Sequence, residues 1–528
     1  CEGAVTPGFE ACDDVDNDCD GLVDEGALSP CGGCSPGCRG GVWGEGPVPF
    51  EADPSAGTGV TDAGELTLQL TQMESSSLWV ANSAGATLSK VDTAEAREVA
   101  RYRSGGSEPS RVAVDYHGDA WVVNRVFEGQ PTVRKVAGSM DRCVDRDGDG
   151  EIATSSGPDD VLPAGDDECV LLTADVGDPE GVGRAIAIDG DRGPDGALGG
   201  HPWIGMHDAE EVIRISGETG EELARVPTPG FRPYTGVFDP WGTLWMISRD
   251  GRLARIDRRE RPYEAEVIDV PMECFLLYGL ASDRHGRLLL TGFACDQVLT
   301  YEPRTETWDK VPTPPSTRGA VVQDGVAWVA HTGGRISKLA MAPLALEGTF
   351  ELAGEGVDPL ESIGIATDAM GGVWAASSQG GGDGGIGVAS RIDADDGAVS
   401  AQVPLGRRPH TQGDMSGTKR FGEFAPEGTA THVFEGCDRG GTNWLALHLA
   451  ARPGLGTIEV AVRHAESRDA LGGDFEVVGV IPDDPRPFEL DLPEGGVVEV
   501  RLVLRNEARD GAPRVDRVGL EWMCPGPE

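Results

Sequence analysis

A short apolar segment, led in most copies by tryptophan, returns seven times along the middle of this chain. The copies are LWVAN (78–82), AWVVN (120–124), PWIGM (202–206), LWMIS (244–248), LLLTG (288–292), AWVAH (327–331) and VWAAS (373–377). The marker residues Trp79, Trp121, Trp203, Trp245, Leu289, Trp328 and Trp374 stand 42, 82, 42, 44, 39 and 46 residues apart. The interval of 82 reads as one repeat plus an insertion of about 40 residues. An apolar run ending near Asp and a Gly turn precedes the markers, as in RVAVDYHGD (111–119), TGVFDPWGT (235–243) and GIATDAMGG (364–372). A second alternating run follows, as in LSKVD (88–92), VIRIS (212–216) and LARID (253–257). Three or four short strands per repeat of this length match one propeller blade, which buries its faces only by stacking on its neighbours. A stacked β-solenoid would need a much shorter repeat. The expectation is an all-β chain with a seven-bladed β-propeller over 51–406 and an insertion at about 138–172.

The last 120 residues change rhythm. NWLALHLAA (443–451), GTIEVAVRHA (456–465), FEVVGVI (475–481), VVEVRLVLRN (497–506) and RVGLEWM (517–523) read as period-two strands divided by Pro, Gly and Asp turns. This predicts a C-terminal β-sandwich of jelly-roll type within 407–528, joined to the propeller by a linker, RRPHTQGDMSGTKRFG (407–422). Residues 1–50 carry almost no apolar core and read as a separate disulfide-rich, calcium-binding arm.

Cysteine placement sets the compartment. Six of the twelve cysteines fall in the first 38 residues, and the others pair locally as Cys143 with Cys169, Cys274 with Cys295, and Cys437 with Cys524. Even local sets are the mark of disulfides, which persist in oxidising surroundings, so an extracellular or cell-surface location is expected. Connectivity among Cys1, Cys12, Cys19, Cys31, Cys34 and Cys38 stays open. Zinc at Cys31, Cys34 and Cys38 would need a second close pair nearby. The start at Cys1 reads as a processed terminus; a lipid on Cys1 would leave five cysteines in that block, so the disulfide reading is preferred. The 44 Lys and Arg stand against 89 Asp and Glu, a net charge of −45, which excludes a general binder of nucleic acid or anionic membrane. No apolar run approaches 18 residues, so no transmembrane helix is expected.

Two acidic motifs carry the clearest chemistry. In CDDVDNDCDGLVDEG (12–26), Asp16, Asp18 and Asp20 alternate before Gly21, Leu22 can add its carbonyl, and Asp24 with Glu25 closes the run. Alternate carboxylates converge on one hard cation and the glycine permits the sharp turn, which is the start of an EF-hand type calcium loop. DRCVDRDGDGEIATSSGPDD (141–160) repeats the spacing with Asp145, Asp147, Asp149, Gly150, Glu151 and an apolar Ile152. Its twelfth position is Ser156 rather than Glu, so Asp159 or Asp160 would supply the missing carboxylate. A Cys143–Cys169 bridge would close this loop at its base. Calcium is the expected cofactor, in a structural role.

The third residue after each marker is expected near the channel end of its strand: Asn82, Asn124, Met206, Ser248, Gly292, His331 and Ser377. Asn82, Asn124 and His331, with His207 one position further on, are the candidate contacts for a ligand in the channel. No G-x-S-x-G elbow, H-E-x-x-H helix or phosphate-cradling Gly-rich loop occurs, and no catalytic residue is assigned.

The repeats resemble those of streptogramin-lyase-like and NHL-type propellers, whose blades carry an Asp-Gly turn, a Trp-led strand and an R-I-D-like strand. The resemblance covers most of 60–405 and implies the propeller fold. It also implies a C–O lyase as one alternative; those lyases use an E-x-H pair, which this chain lacks, and His207-Asp208 is wrongly spaced. Residues 1–26 resemble the cysteine-flanked D-x-D-N-D-C-D-G-x-x-D-E repeats of bacterial surface proteins, which implies metal binding and a paired Cys1. The favoured reading is a secreted, non-enzymatic structural or adhesive protein held by calcium and disulfides. Its core-poor arm needs another surface to lie on; if a neighbouring subunit supplies it, head-to-tail self-association would build a filament. A carbohydrate-binding protein that meets surface glycans, with Trp444 and Trp522 as available aromatics, is the other alternative.

Overall fold

The computed structural model describes residues 39–524 apart from 45–47, 54–55, 62, 70–75, 191–199, 241, 259–260, 272–275, 284, 324, 353–358, 380–384, 395, 418–424, 426, 438–440, 455, 483–486 and 507–511. The described residues are all-β, with short 3-10 turns and no α-helix among them. Two compact units emerge, Gln72–Phe421 and the described parts of Cys1–Thr71 with Gly422–Glu528.

Gln72–Phe421 has a β-propeller fold. Six of the markers lie on the second strand of a four-stranded antiparallel sheet, and Trp79 lies on the first strand of a three-stranded one. The Trp121 sheet, for example, runs from Pro109–Val114 through Ala120–Asn124 and Thr132–Val136 to Val170–Asp175. Its first two strands are buried at every position, because sheets cover both faces, whereas outer strands such as Thr307–Pro312 are mostly exposed. Each apolar cluster joins two consecutive sheets: Trp79 with Val122, Trp121 with Ile204, Trp203 with Met246, Trp245 with Leu290, Leu289 with Val329, and Trp328 with Ala375. A further cluster packs Trp374 and Ala376 on Leu78 and Val80, which closes the ring.

The repeat is a hydrogen-bonded unit. The indole N–H groups of Trp121, Trp203, Trp245 and Trp374 donate to Asp115, Asp189, Asp239 and Asp368 at 3.0, 2.9, 2.8 and 2.8 Å. The other oxygen of each aspartate accepts backbone N–H groups of the turn that leads to the tryptophan strand, such as Thr243 at 2.9 Å and Gly372 at 2.7 Å. Across the next strand pair, a cation stands opposite every tryptophan marker: Lys90, Lys135, Arg214, Arg255, Lys338 and Arg391. Opposite Leu289 stands Thr300. Indole and cation are thus lost together, as expected when the ring is what the cation sits over.

The Trp79 sheet has three strands of its own, Ser77–Asn82, Thr87–Asp92 and Arg97–Arg103. Residues 408–416 take its innermost position. The backbone N–H groups of Trp79, Ser83 and His410 donate to Met415, Arg408 and Ala81 at 2.8, 2.9 and 3.0 Å, and Val112 N–H donates to Gln412 at 3.0 Å. Thr411, Gln412, Met415 and Ser416 are buried. This segment fell within the expected linker 407–422; it is instead an extended stretch hydrogen-bonded to the Trp79 strand and to Val112. At Gly413, with φ +106, a Cβ would run into the Val112 carbonyl, so only glycine fits that approach.

The second unit holds two sheets. In one, Asn443–Arg452 pairs along Arg514–Met523, whose other edge accepts Leu66–Leu68 and Arg39–Trp43. The other orders Glu427–Glu435, Val497–Arg505, Thr457–Ala465 and Glu476–Ile481. The two meet at Trp43, stacked on His432 with centroids 5.2 Å apart, and at Gly41, where a Cβ would lie 2.8 Å from the Phe434 ring. The expected boundaries at 50 and 51 therefore shift: described residues from 39 to 69 join the C-terminal sheets rather than an arm or the propeller. The strand Glu427–Glu435, before Cys437, was not expected.

Candidate functional site

The insertion leaves the Trp121 sheet after Val136 and returns at Val170, and a Cys143–Cys169 disulfide closes it. Asp145, Asp147 and Asp149 converge, with one carboxylate oxygen of each within 4.8 Å of the others, so the trio could hold a metal ion. The backbone shapes the loop: Gly148 and Gly150 N–H donate to the two oxygens of Asp145 at 2.7 and 3.0 Å, and Glu151 N–H donates to Asp149 at 2.8 Å. The Glu151, Asp159 and Asp160 carboxylates are not in the cluster; Asp160 accepts from the Ser156 hydroxyl at 2.7 Å. Sequence reading overlooked Glu168, whose carboxylate accepts the N–H groups of Arg146 and Ala153 at 2.5 and 2.9 Å and clamps the loop's two flanks together. Those backbone donors hold its carboxyl below the usual range. Its only sequence signal is its place beside Cys169.

Other expected features have mixed positions. Cys437 and Cys524 are bridged, and Cys295 is disulfide-bonded, while Cys274 lies outside the described residues. Asp16, Asp18, Asp20, Leu22, Asp24, Glu25 and the six N-terminal cysteines lie outside them as well. Asn82 donates to Thr87 and Ser89 at 3.1 and 2.8 Å, Asn124 to Ser104 and Thr132, and His331 bonds Ser337 at 2.8 Å. These three side chains tie the second strand of a sheet to its surroundings and lie buried between sheets. His207 is half-buried, with Nδ1 2.6 Å from Asp208.

The propeller axis is lined instead by residues of the innermost strands. Several of these strands begin with a bulge, where the register slips at Ser110, Arg184, Tyr278–Gly279 and Arg318–Gly319. A bulge turns an extra side chain out of the alternation. Arg111, Arg184 and Arg249 stand over the Tyr234 ring with guanidinium carbons 4.8, 5.2 and 5.4 Å from its centroid. Tyr234 packs edge-on to Tyr278 at 5.5 Å, Arg318 covers Tyr278 at 4.6 Å, and the Tyr278 hydroxyl lies 3.3 Å from His410 Nε2. Arg111 reaches Tyr234 past the Trp203 sheet between them, which is possible only at the axis. Burial pushes the Tyr234 phenol up, but Arg111, Arg184 and Arg249 outweigh it and hold it below the usual range. Burial and the same cationic field push His410 well below the usual histidine value, so it is neutral. Sequence reading missed this set. The signal was the position ten or eleven residues before a marker, which reads Arg111, Tyr234, Tyr278 and Arg318.

No protein-family model matches this chain, and no curated protein matches it. Among solved structures it is similar to a streptogramin B lyase, at 13% identity and a TM-score of 0.41 over 62% of this chain and 92% of that one. A virginiamycin B lyase from Staphylococcus aureus gives 12% identity and a TM-score of 0.41 over 56% and 84% of the two chains. A functionally unknown protein from Desulfotomaculum acetoxidans gives 9% and 0.43 over 63% and 99%.

Proposed function

We propose that this chain is a secreted binding protein of structural or adhesive type. It is built as a seven-bladed β-propeller with a β-sandwich, and its insertion loop is ordered by calcium. The observation that carries this reading is the disulfide-closed loop 143–169, in which three carboxylates face one another with their backbone already shaped around them. Three like charges so close repel, and a divalent cation of oxygen preference relieves that repulsion. The disulfides Cys143–Cys169 and Cys437–Cys524 support an extracellular setting. The chain of apolar clusters, each shared by two sheets and closing from Trp374 onto Leu78, supports the seven-bladed count. The N-terminal arm, with its own D-x-D-x-D-G run, is assigned to head-to-tail self-association.

Calorimetric titration of calcium into chelator-treated protein tests the loop: Asp147→Asn with Asp149→Asn should abolish one site, and calcium uptake unchanged in that variant would overturn the assignment. Light scattering tests the assembly, which is refuted by a monomer at high concentration in millimolar calcium.

A further inference from the structure

The arginine–tyrosine axis has an electrostatic imbalance that the loop and the disulfides do not address. Arg111 is 1% exposed, yet its Nη2 has no hydrogen-bond partner, and neither does the Nε of Arg184 or of Arg249. The hydrogen bonds of Arg111 go to the carbonyls of Tyr234 and Ser110 at 3.3 and 2.9 Å, not to a carboxylate. Nearby carboxylates are engaged elsewhere: Glu108 by Arg125 and Arg408, Glu361 by Arg318, and Asp208 by the His207 ring, 2.6 Å away. Buried charge is normally paired, because removing it from water costs several kcal/mol that only a counter-charge returns. Three guanidiniums meeting over one ring, with no carboxylate of the described residues among them, are therefore an incomplete ion pair. Arg184 and Arg249 are half-buried rather than sealed, and Arg184 also lies under Phe127, which is 49% exposed. Solvent can thus reach the cations past an aromatic rim.

We propose that this end of the propeller axis is a binding site for a small oxyanion-bearing ligand, held by the guanidiniums of Arg111, Arg184 and Arg249 above Tyr234. Carboxylate and phosphate share the chemistry: planar or tetrahedral oxygens that accept forked N–H donors. The ligand supplies the negative charge that no described residue places among them. His410, neutral and 3.3 Å from the Tyr278 hydroxyl, adds no competing charge beneath the site. The proposal goes beyond the calcium and adhesion reading and does not depend on it.

Thermal midpoint and calorimetric titration of the full chain with inorganic phosphate and with citrate test it, at matched ionic strength against sodium chloride. At least one probe should bind saturably and raise the midpoint; a response to phosphate alone or citrate alone identifies the oxyanion. In Arg184→Gln with Arg249→Gln the affinity should fall at least tenfold. In anion-free buffer the same variant should melt at the same temperature or higher, because it removes two mutually repelling, half-buried cations. Arg335→Gln, at an exposed pair with Glu351, should leave binding unchanged. The proposal is overturned if neither probe binds. It is equally overturned if the double variant melts lower without anion and the 295 nm absorbance shows a Tyr234 phenolate at neutral pH, since the chain would then neutralise itself.

Discussion

Replacing Asp368 with alanine should destabilise the propeller unit by about 3–5 kcal/mol, and the structure shows where that comes from. One Asp368 oxygen accepts the Trp374 indole N–H at 2.8 Å, and the other accepts Met370 and Gly372 N–H at 2.9 and 2.7 Å. Trp374 is fully buried, so its N–H would be left without a partner or water, a loss of about 1–3 kcal/mol. The two turn donors can turn to solvent, and their loss is about 1 kcal/mol each. Arg391, 3.5 Å from the carboxylate, is partly exposed and adds well under 1 kcal/mol. The comparison is Asp283→Ala in the sheet where Leu289 replaces tryptophan. Among the described residues Asp283 accepts the turn donors His285 and Arg287, at 2.9 and 2.8 Å, and no indole, and burial raises its carboxyl above the usual range. Its removal relieves a desolvated charge and should cost about 1 kcal/mol or less. By scanning calorimetry, Asp368→Ala should lower the propeller transition by roughly 4–7 °C and Asp283→Ala by roughly 1.5 °C or less. Equal shifts would refute the reasoning, because the indole bond would then contribute nothing.

Two further outcomes follow from the axis. His410 has its pKa depressed by burial and by Arg125, Arg111 and Arg184, so the folded state resists a proton that the unfolded chain accepts below about pH 6.5. Its contribution is present above that pH and lost as pH falls; His410→Gln should flatten the decline of the thermal midpoint between pH 7 and 5, and an unchanged slope would count against it. Gly413→Val forces a side chain into a left-handed backbone against the Val112 carbonyl and should cost about 3 kcal/mol or more through strain and weakened pairing of 408–416. Urea midpoints and protease cleavage within 408–416 would register this, and wild-type resistance would contradict the role given to that stretch.

The repeat was legible because its physics is local. Asp368, its Gly turn and Trp374 lie within seven residues, so the hydrogen-bonded unit writes itself into the sequence as D-x-x-G-x-x-W. The stretch 408–416 has no such signature. It reads RPHTQGDMS, mostly polar with one Pro and one Gly, and it lies where inner strands crowd: a Cβ on Gly364 would meet the Thr411 carbonyl at 2.7 Å. That crowding requires Gly413 and leaves the rest mostly polar, the composition that also makes a linker. Pairing of Arg39–Trp43 with Arg514–Met523 is invisible for a different reason, since partners over 400 residues apart leave no local pattern. At the candidate site, Asp145, Asp147 and Asp149 were readable from spacing, whereas Glu168 reaches them only through the fold. Asn82, Asn124 and His331, read as channel contacts, bond Ser89, Thr132 and Ser337. The second strand directs those side chains between sheets, and the innermost strand owns the axis.

The charge of −45 and the unpaired arginines make sense together. An acidic surface repels anions over about a Debye length, roughly 8 Å at physiological salt, while Arg111, Arg184 and Arg249 attract them at contact in a less polar interior. A polyanion such as nucleic acid must bring many charges against that surface to deliver one to the axis, and repulsion grows with each. A small oxyanion carries one or two charges past the same surface and meets all three guanidiniums. Acidic exterior and cationic centre thus act as a size and charge filter. The exclusion of nucleic acid expected from composition and the anion site proposed at the axis would both follow from one charge distribution.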